Sequence, residues 1–448
     1  MRYLLTTGRV APRGIGKVLL RDVSAKAGAG GRTKLVVLGT GWGGFRLARE
    51  IDKEKYEVTV VSPRNHFLFT PLLPSTTVGT LEFRCIQEPV RTIKGLQYLQ
   101  AACTGVDFKK KSLRCREVFK GTEHDIDYDC LVIATGAQNN TFGVPGVNEE
   151  NHVFFLKQLG DARNIRNRLL ECFERAASPF ISEAERSRLL SFVVVGGGPT
   201  SIEYAAELHD FLTSDVKRWY PDLQHKVSVH LVEASDHIMG TFDEKLISYT
   251  TRLLENRKVE VLLNTSVKSV GPTDCELGDG RKLPFGLMVW STGLAPTELV
   301  SSMDALEKER GRIKIDGRLR VPGVEGVFAM GDAAVNPDNP LGPLAQVADQ
   351  QGKYLAKWLS KAGPEDPDTP PFNYRHLGSM AQVGDWKAIA DLKGVAGAKS
   401  AGPTLDGLLA FATWRSAYWT KTVSVANKAL IPMHWFKAWA FGRDISRF

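Results

Sequence analysis

The chain has 448 residues, 43% hydrophobic and 24% charged, an ordinary globular composition long enough for two or three domains. No uninterrupted apolar run reaches the roughly 18–20 residues that span a bilayer, so the sequence predicts a protein that is soluble or lies on a membrane surface. Of the 58 Lys/Arg and 50 Asp/Glu, residues 1–34 hold eight and one, which leaves the rest of the chain near neutral and argues against a nucleic-acid-binding body.

Residues 1–33 are arginine-rich and acid-poor, with Leu4, Leu5, Val10, Ile15 and Val18 interspersed; this pattern predicts a mitochondrial presequence, and a disordered basic tail is the alternative. The six cysteines include no Cys-x-x-Cys pair, so zinc and thioredoxin-like chemistry find no support and free thiols in a reducing compartment are expected.

The first structured stretch, "KLVVLGTGWGGFRLAREI", places Gly39, Gly41 and Gly44 in G-x-G-x-x-G spacing between an apolar strand and a helical pattern. In such a turn the first glycine makes the bend, the second lets a pyrophosphate approach the backbone, and the third lets the helix pack on the strand. The phosphates then meet free N–H groups at the helix start. The next strand, "YEVTVVSPRNHF", ends in Ser62 and Arg64 where an NAD-type carboxylate is expected, which points to FAD in this loop. "DYDCLVIATGAQ" is a strand that ends in Thr135 and Gly136.

A second turn, "FVVVGGGPTSIE", supplies Gly196 and Gly198, with Ser201 in place of the third glycine. The strand "KVSVHLVEAS" that follows ends in Glu233, an acceptor for a ribose 2′-hydroxyl, so NADH is favoured over NADPH. The intervening "LHDFLTSDVKRWYPDLQH" reads as an extended or inserted helix. "LPFGLMVWSTGLAPT" then returns to Gly293, mirroring Gly136, and "VEGVFAMGDAA" brings Gly331 and Asp332 back to the flavin.

Two loops, each with a returning strand, predict an α/β chain with two Rossmann-like dinucleotide-binding domains. The FAD domain covers 34–150 and 306–360, the NADH domain of 151–305 is inserted in it, and 361–448 form a C-terminal membrane-associating helical region. Hydride transfer from nicotinamide to flavin is the expected chemistry. In the C-terminal region Leu405, Leu408, Leu409 and Ala412 are expected on one helical stripe, and Trp435, Phe436, Trp439 and Phe441 crowd beside Lys437 and Arg443. This composition suits a helix in the headgroup region, or a dimer interface.

The motifs "VVLGTGWGG", "VVSPRNHFLFTPLLPS", "VVVGGGPTS", "FAMGDAA", "PLAQVADQQGKYLAKWL", "YRHLGSMAQVGDWKAIAD" and "FGRDISRF" together resemble the type II NADH:quinone oxidoreductases from about residue 33 onward. The resemblance implies that Glu203 stands beside nicotinamide and flavin and that Gln346 and Gln350 stand at the flavin and quinone pocket. On residues alone, Glu203 reads as an acid favouring a helix N-terminus, and the two glutamines as an i, i+4 pair on one face. Where some members carry a histidine, this chain has Asp349. The resemblance further implies ubiquinone reduction at the mitochondrial inner membrane; with no spanning segment no proton pumping is expected, a presequence without a stop-transfer helix makes the matrix face the default, and a homodimer is expected. A sulfide:quinone oxidoreductase would need a late cysteine, and none follows Cys275. A flavin-bearing binding protein resembling apoptosis-inducing factor, or a degenerate structural relative, are the alternatives.

Overall fold

The computed structural model describes residues 31–392 and 404–447. The expected presequence, 1–33, lies outside the described residues except for its last three. Two five-stranded, wholly parallel sheets dominate the chain. In the first, Thr33–Leu38 lies centrally between Cys130–Ile133 and Tyr56–Val61, with Val327–Ala329 and Leu96–Leu99 at the edges. In the second, Ser191–Val195 lies between Leu287–Trp290 and Ser228–Val232, with Val153–Phe155 and Val259–Leu262 outside. The strands are runs of Val, Leu and Ile because helices cover both faces of a parallel sheet; Leu35, Val37, Leu131 and Val194 are fully buried.

One topology is thus built twice. The first sheet is completed only by Val327–Ala329, after the whole second sheet has been made. A two-stranded antiparallel ribbon, Ala137–Asn139 with Leu294–Pro296, joins the two returns.

The predicted long helix after the second loop runs from Pro199 to Phe211 and continues through a wider turn, Leu212–Val216, to Trp219. The C-terminal region begins with three antiparallel strands, Ser379–Gly384, Lys387–Asp391 and Thr404–Asp406, followed by helices Gly407–Lys421 and Val425–Phe441. The expected stripe of Leu405, Leu408, Leu409 and Ala412 is not formed. Leu405 pairs with Ala390 in a strand, because Gly407, at positive φ, starts the helix later. The helix buries Ala410, Phe411 and Trp414 instead, leaving Leu408 and Leu409 about two-thirds exposed at 68% and 66%. Among the described residues no helix is long and apolar enough to cross a membrane.

The chain's end is tied in by charge. Arg443 donates from its backbone N–H and from Nη1 to the Asp215 carboxylate, at 2.7 and 2.8 Å, and from Nε to Thr80 Oγ1 at 2.8 Å. Its Nη2 lies 3.9 Å from Glu207. Glu207 is buried and accepts from Ser75 and Thr80, each at 2.6 Å, and from Gln382 at 3.2 Å. The 73–80 segment, the helix after the second glycine turn and both C-terminal segments therefore meet at one buried cluster. Arg443→Ala would leave two buried carboxylates short of their cation, and such losses cost about 3–5 kcal/mol. Thermal unfolding of this variant should show a midpoint several degrees lower; an unchanged midpoint would remove the cluster from the account of stability.

Candidate active site

The two glycine turns use their glycines in different ways. A Cβ on Gly39 would come within 2.3 Å of the Ala134 carbonyl oxygen, and one on Gly44 within 2.1 Å of the Gly39 carbonyl oxygen. Only hydrogen fits at either place. A Cβ on Gly41 would meet nothing within 4 Å. Gly41 is therefore open toward space, while its neighbours are pressed against backbone. The second loop repeats this division: Gly198 is open, whereas a Cβ on Gly196 would lie 2.8 Å from Thr292. At the third position the Ser201 hydroxyl shares a 2.7 Å hydrogen bond with Ser291, so the serine packs fully buried against the returning strand.

Each following helix starts at its open glycine with no side chain capping its first turn. Its leading N–H groups are left for an anion. Both starts open on one cavity of about 1010 Å³. Gly39, Gly41, Ser62 and Arg64 line it from one side, and Thr135, Gly136, Gly331 and Asp332 form the floor. Gly198 and Gly293 line it from the second domain. Gly44 and Gly196 lie behind the wall, as packing glycines should.

The cavity is rich in positive charge. Arg64 is held by Gln158 Oε1 at 2.7 Å and the His66 carbonyl at 3.0 Å, and among the described residues no carboxylate pairs with it. Burial without an acid brings its pKa down to about 10. Lys157, also in the wall, is lowered by burial; Asp332 is raised by burial, against the pull of Lys157 and Arg312. The Ser62 hydroxyl lies 3.1 Å from that of Thr40 and accepts from the Arg64 N–H at 3.2 Å, which shapes the turn where a ribose acid is missing. Arg64 without a carboxylate partner and two uncapped helix starts fit a dinucleotide such as FAD.

Glu233 stands at the end of its strand as predicted. Its carboxylate accepts from Gly197 N–H at 2.5 Å and Ser235 N–H at 2.7 Å. It thus braces the second glycine turn.

Glu203, Gln346 and Gln350 do not line the cavity; they stand behind it. Glu203 is buried on the face of its helix turned to the C-terminal region, where Gln382 N–H donates to it at 3.3 Å. Desolvation raises its pKa to about 8, opposed by Gln382 and the Trp414 side chain and aided by Glu207. Gln346 and Gln350 share a face of the Ala345–Ala362 helix. Each amide makes a two-point clamp on passing backbone. Gln346 accepts from Leu377 N–H at 3.0 Å and donates to the Gly378 carbonyl at 3.3 Å. Gln350 accepts from Arg375 N–H at 3.0 Å and donates to the Arg375 carbonyl at 2.9 Å. Asp349 forms a bidentate ion pair with Arg46, at 2.7 and 3.0 Å.

The sequence reading missed Lys157, Arg312 and Gln351. Lys157 stands just before the helix-opening pair of Gln158 and Asp161, a capping signal that gave no hint of a cavity wall. Gln351 is buried and accepts from Gly331 N–H at 2.7 Å, so it fixes the turn that carries Asp332. The i, i+4 rule selects the face of Gln346 and Gln350, and Gln351 lies off that face.

Two dinucleotide turns that open on one cavity define a flavoprotein oxidoreductase of the two-dinucleotide type. Residues 33–352 match the family model for pyridine nucleotide-disulphide oxidoreductase, and residues 376–444 that for the NDH2 C-terminal domain. An internal alternative NAD(P)H-ubiquinone oxidoreductase A1 of mitochondria from Solanum tuberosum is 43% identical over 93% of this chain and 88% of its own length. An external NADH-ubiquinone oxidoreductase 2 of mitochondria from Saccharomyces cerevisiae is 38% identical, over 93% and 82% respectively. The solved structure of NDH2 from Plasmodium falciparum in complex with NADH is similar at a TM-score of 0.86 and 27% identity, covering 93% of this chain and 100% of that one. The chain belongs to the pyridine nucleotide-disulphide oxidoreductases and, within them, to the type II, alternative NADH dehydrogenases.

Two substitutions separate the roles of the glycines. Gly44→Ala should give little folded protein, because backbone blocks its methyl group. Gly41→Ala should fold normally yet purify without the flavin absorbance of the parent; retained flavin would mean that the pyrophosphate does not approach there.

Glu203 also links stability to pH. Its folded pKa lies above its ordinary value of 4.5, so the folded state holds a proton that the unfolded state has lost. This contribution is fully present below pH 4.5 and is lost as the pH rises through about 8. Melts between these limits should show stability falling with pH, by at most ~1.4 kcal/mol per unit from this group. Glu203→Gln should flatten the fall; an identical slope in the variant would place the proton elsewhere.

Proposed function

We propose that this chain is a mitochondrial enzyme that oxidises NADH through bound FAD and passes the electrons to ubiquinone. The observation that carries this reading is the single cavity shared by both glycine turns. FAD, when bound, supplies a group that takes a hydride from NADH and returns two electrons to a quinone.

The protein's own residues bind and orient. The first turn would offer the uncapped N–H groups at the helix start after Gly41 to the FAD pyrophosphate, with Gly39 and Gly44 packing the turn against backbone. Arg64 and Lys157 supply the compensating charge, and Asp332 faces the ribityl chain. Thr135, Gly136 and Gly331 form the floor beneath it. The helix start after Gly198 would do the same for NADH, with Gly196 packing that turn, Glu233 accepting from its ribose and Gly293 closing the second side. Glu203 stands one helical turn beyond the cavity-lining Thr200 and carries a proton at neutral pH, available to a site where reduced quinone needs two. Gln346 and Gln350 act as positioning residues. They hold residues 375–378 over the helix whose start, Ala345 and Ala348, lines the cavity.

The acceptor is expected from the side of the C-terminal helices. Trp42 lines the cavity and packs on Phe69 at 5.3 Å; Phe69 meets Tyr418 at 6.1 Å, and Tyr418 meets Trp414 at 5.2 Å. This aromatic run leads to helices that expose Leu408, Leu409, Met433, Phe436, Trp439 and Phe441. Such a face suits the surface of the inner membrane, with the same apolar rim available to a homodimer. The matrix side is favoured by the basic N-terminal sequence, and the Solanum tuberosum relative is named internal.

Anaerobic titration tests the reading. NADH should bleach the flavin band near about 450 nm, and a soluble ubiquinone analogue should restore it. Bleaching without recovery would discard the quinone. Gln350→Leu should slow recovery several-fold more than bleaching, because it frees the backbone of Arg375; equal slowing of both steps would sink its placement on the quinone side.

A further inference from the structure

Five of the six cysteines are buried, and in Cys85, Cys130, Cys172 and Cys275 burial is the main force pushing the thiol up. Cys103 and Cys115 differ. They stand directly opposite one another on the antiparallel strands Ala101–Asp107 and Ser112–Glu117. Directly opposed residues in such a pair have Cα atoms about 4.5–5.5 Å apart, inside the range of ~4.4–6.8 Å that a disulfide spans. Both are free thiols. The two side chains share a hydrogen bond, and Cys103 donates its own proton to the Gly105 carbonyl at 3.4 Å. The register shifts between Cys103 and Gly105, an irregularity that loosens the strand beside Cys103.

Their exposure also differs. Cys115 is 1% exposed, whereas Cys103 is half-buried and lines the large cavity. It lies close to the 62–64 turn, since Gln100 Nε2 donates to the Pro63 carbonyl at 3.2 Å. An accessible thiol backed by a buried one is the arrangement of an attacking cysteine and its resolving partner.

We propose that Cys103 and Cys115 form a peroxide-sensitive dithiol in the wall of the dinucleotide cavity, closing to a cross-strand disulfide on oxidation. The Cys103 sulfur, as thiolate, attacks one oxygen of hydrogen peroxide. The O–O bond breaks, the sulfur becomes a sulfenic acid, and the other oxygen leaves as water with the thiol's proton. The Cys115 sulfur then attacks the Cys103 sulfur. The S–O bond breaks, and hydroxide leaves with the Cys115 proton as a second water. Two thiols and one peroxide give one disulfide and two waters. The lowered pKa of Cys103 and the raised pKa of Cys115 agree with this order of attack. The inference does not depend on which acceptor the enzyme reduces.

The test uses the purified full chain with its flavin. It is treated with excess hydrogen peroxide, blocked with N-ethylmaleimide, digested and examined by mass spectrometry. The expected result is loss of two of the six thiols, with one linked peptide pair holding Cys103 and Cys115, reversed by dithiothreitol. In Cys115→Ser the link should vanish and Cys103 should accumulate as a sulfenic acid trapped by dimedone. Should that variant fold poorly, the thiol count of the parent decides alone. Oxidation that spares Cys103, or that yields no link between it and Cys115, overturns the proposal.

Discussion

Everything in the site hangs on backbone pressed against backbone. Gly44 brings its helix onto the Gly39 carbonyl, and a Cβ on Gly352 would lie 2.4 Å from the Gly43 carbonyl oxygen. The first-loop helix is thus pinned on one side to its own strand and on the other to the Ala345–Ala362 helix. From that second helix Gln351 sets the turn of Gly331 and Asp332, while Gln346 and Gln350 set the segment above. Three side chains on one helix can therefore position the 331–332 turn and the 375–378 segment at once, because the helix itself is pinned by backbone contact.

Charge is distributed with the same economy. The cavity lining sets Arg64 and Lys157 against the carboxylate of Asp332, with Arg312 behind Asp332, a balance that suits an anionic dinucleotide. The layer behind it is the reverse. Glu203, Glu207 and Asp215 are buried along one helix and its continuation, with Arg443 as the cation placed against the last two. Glu203 is left outside that pairing, so burial outweighs the hydrogen bonds from Gln382 and Trp414 and raises its pKa. The C-terminal tail thereby sets which acids on this helix have a cation beside them and which does not.

The two glycine turns, their returning strands and the inserted order were legible because each rests on local rules: apolar runs of four or five residues, glycines at fixed offsets, and an acid at a strand end. Ser201 looked like a defect in the motif, and only the opposing Ser291 shows why it fits. The C-terminal region was legible in composition but not in phase. Leu405 belongs to a strand whose partner, Ala390, comes from another segment, and no periodicity in the helix reveals that. Lys157, Arg312 and Gln351 escaped for a related reason. Each acts at the cavity through tertiary placement, and none carries a spacing rule. Glu203, Gln346 and Gln350 were identified by resemblance alone. The structure assigns them hydrogen bonds to the C-terminal backbone that the motifs did not contain.

The way one sheet waits for the other has a consequence for how the molecule is made. Leu131 must leave its edge open until Val327 arrives, because the whole second domain is synthesised between them. The inner domain can complete its own sheet early from contiguous chain. The outer one exposes an unpaired hydrophobic strand throughout that interval, the state most open to mispairing and aggregation. Among the strand pairings of the described residues its closing contact is the most distant in sequence, and such contacts form late. A nascent or newly imported chain is therefore vulnerable on the flavin side first. A cofactor that binds across that closing edge would act as the latch that ends the exposure.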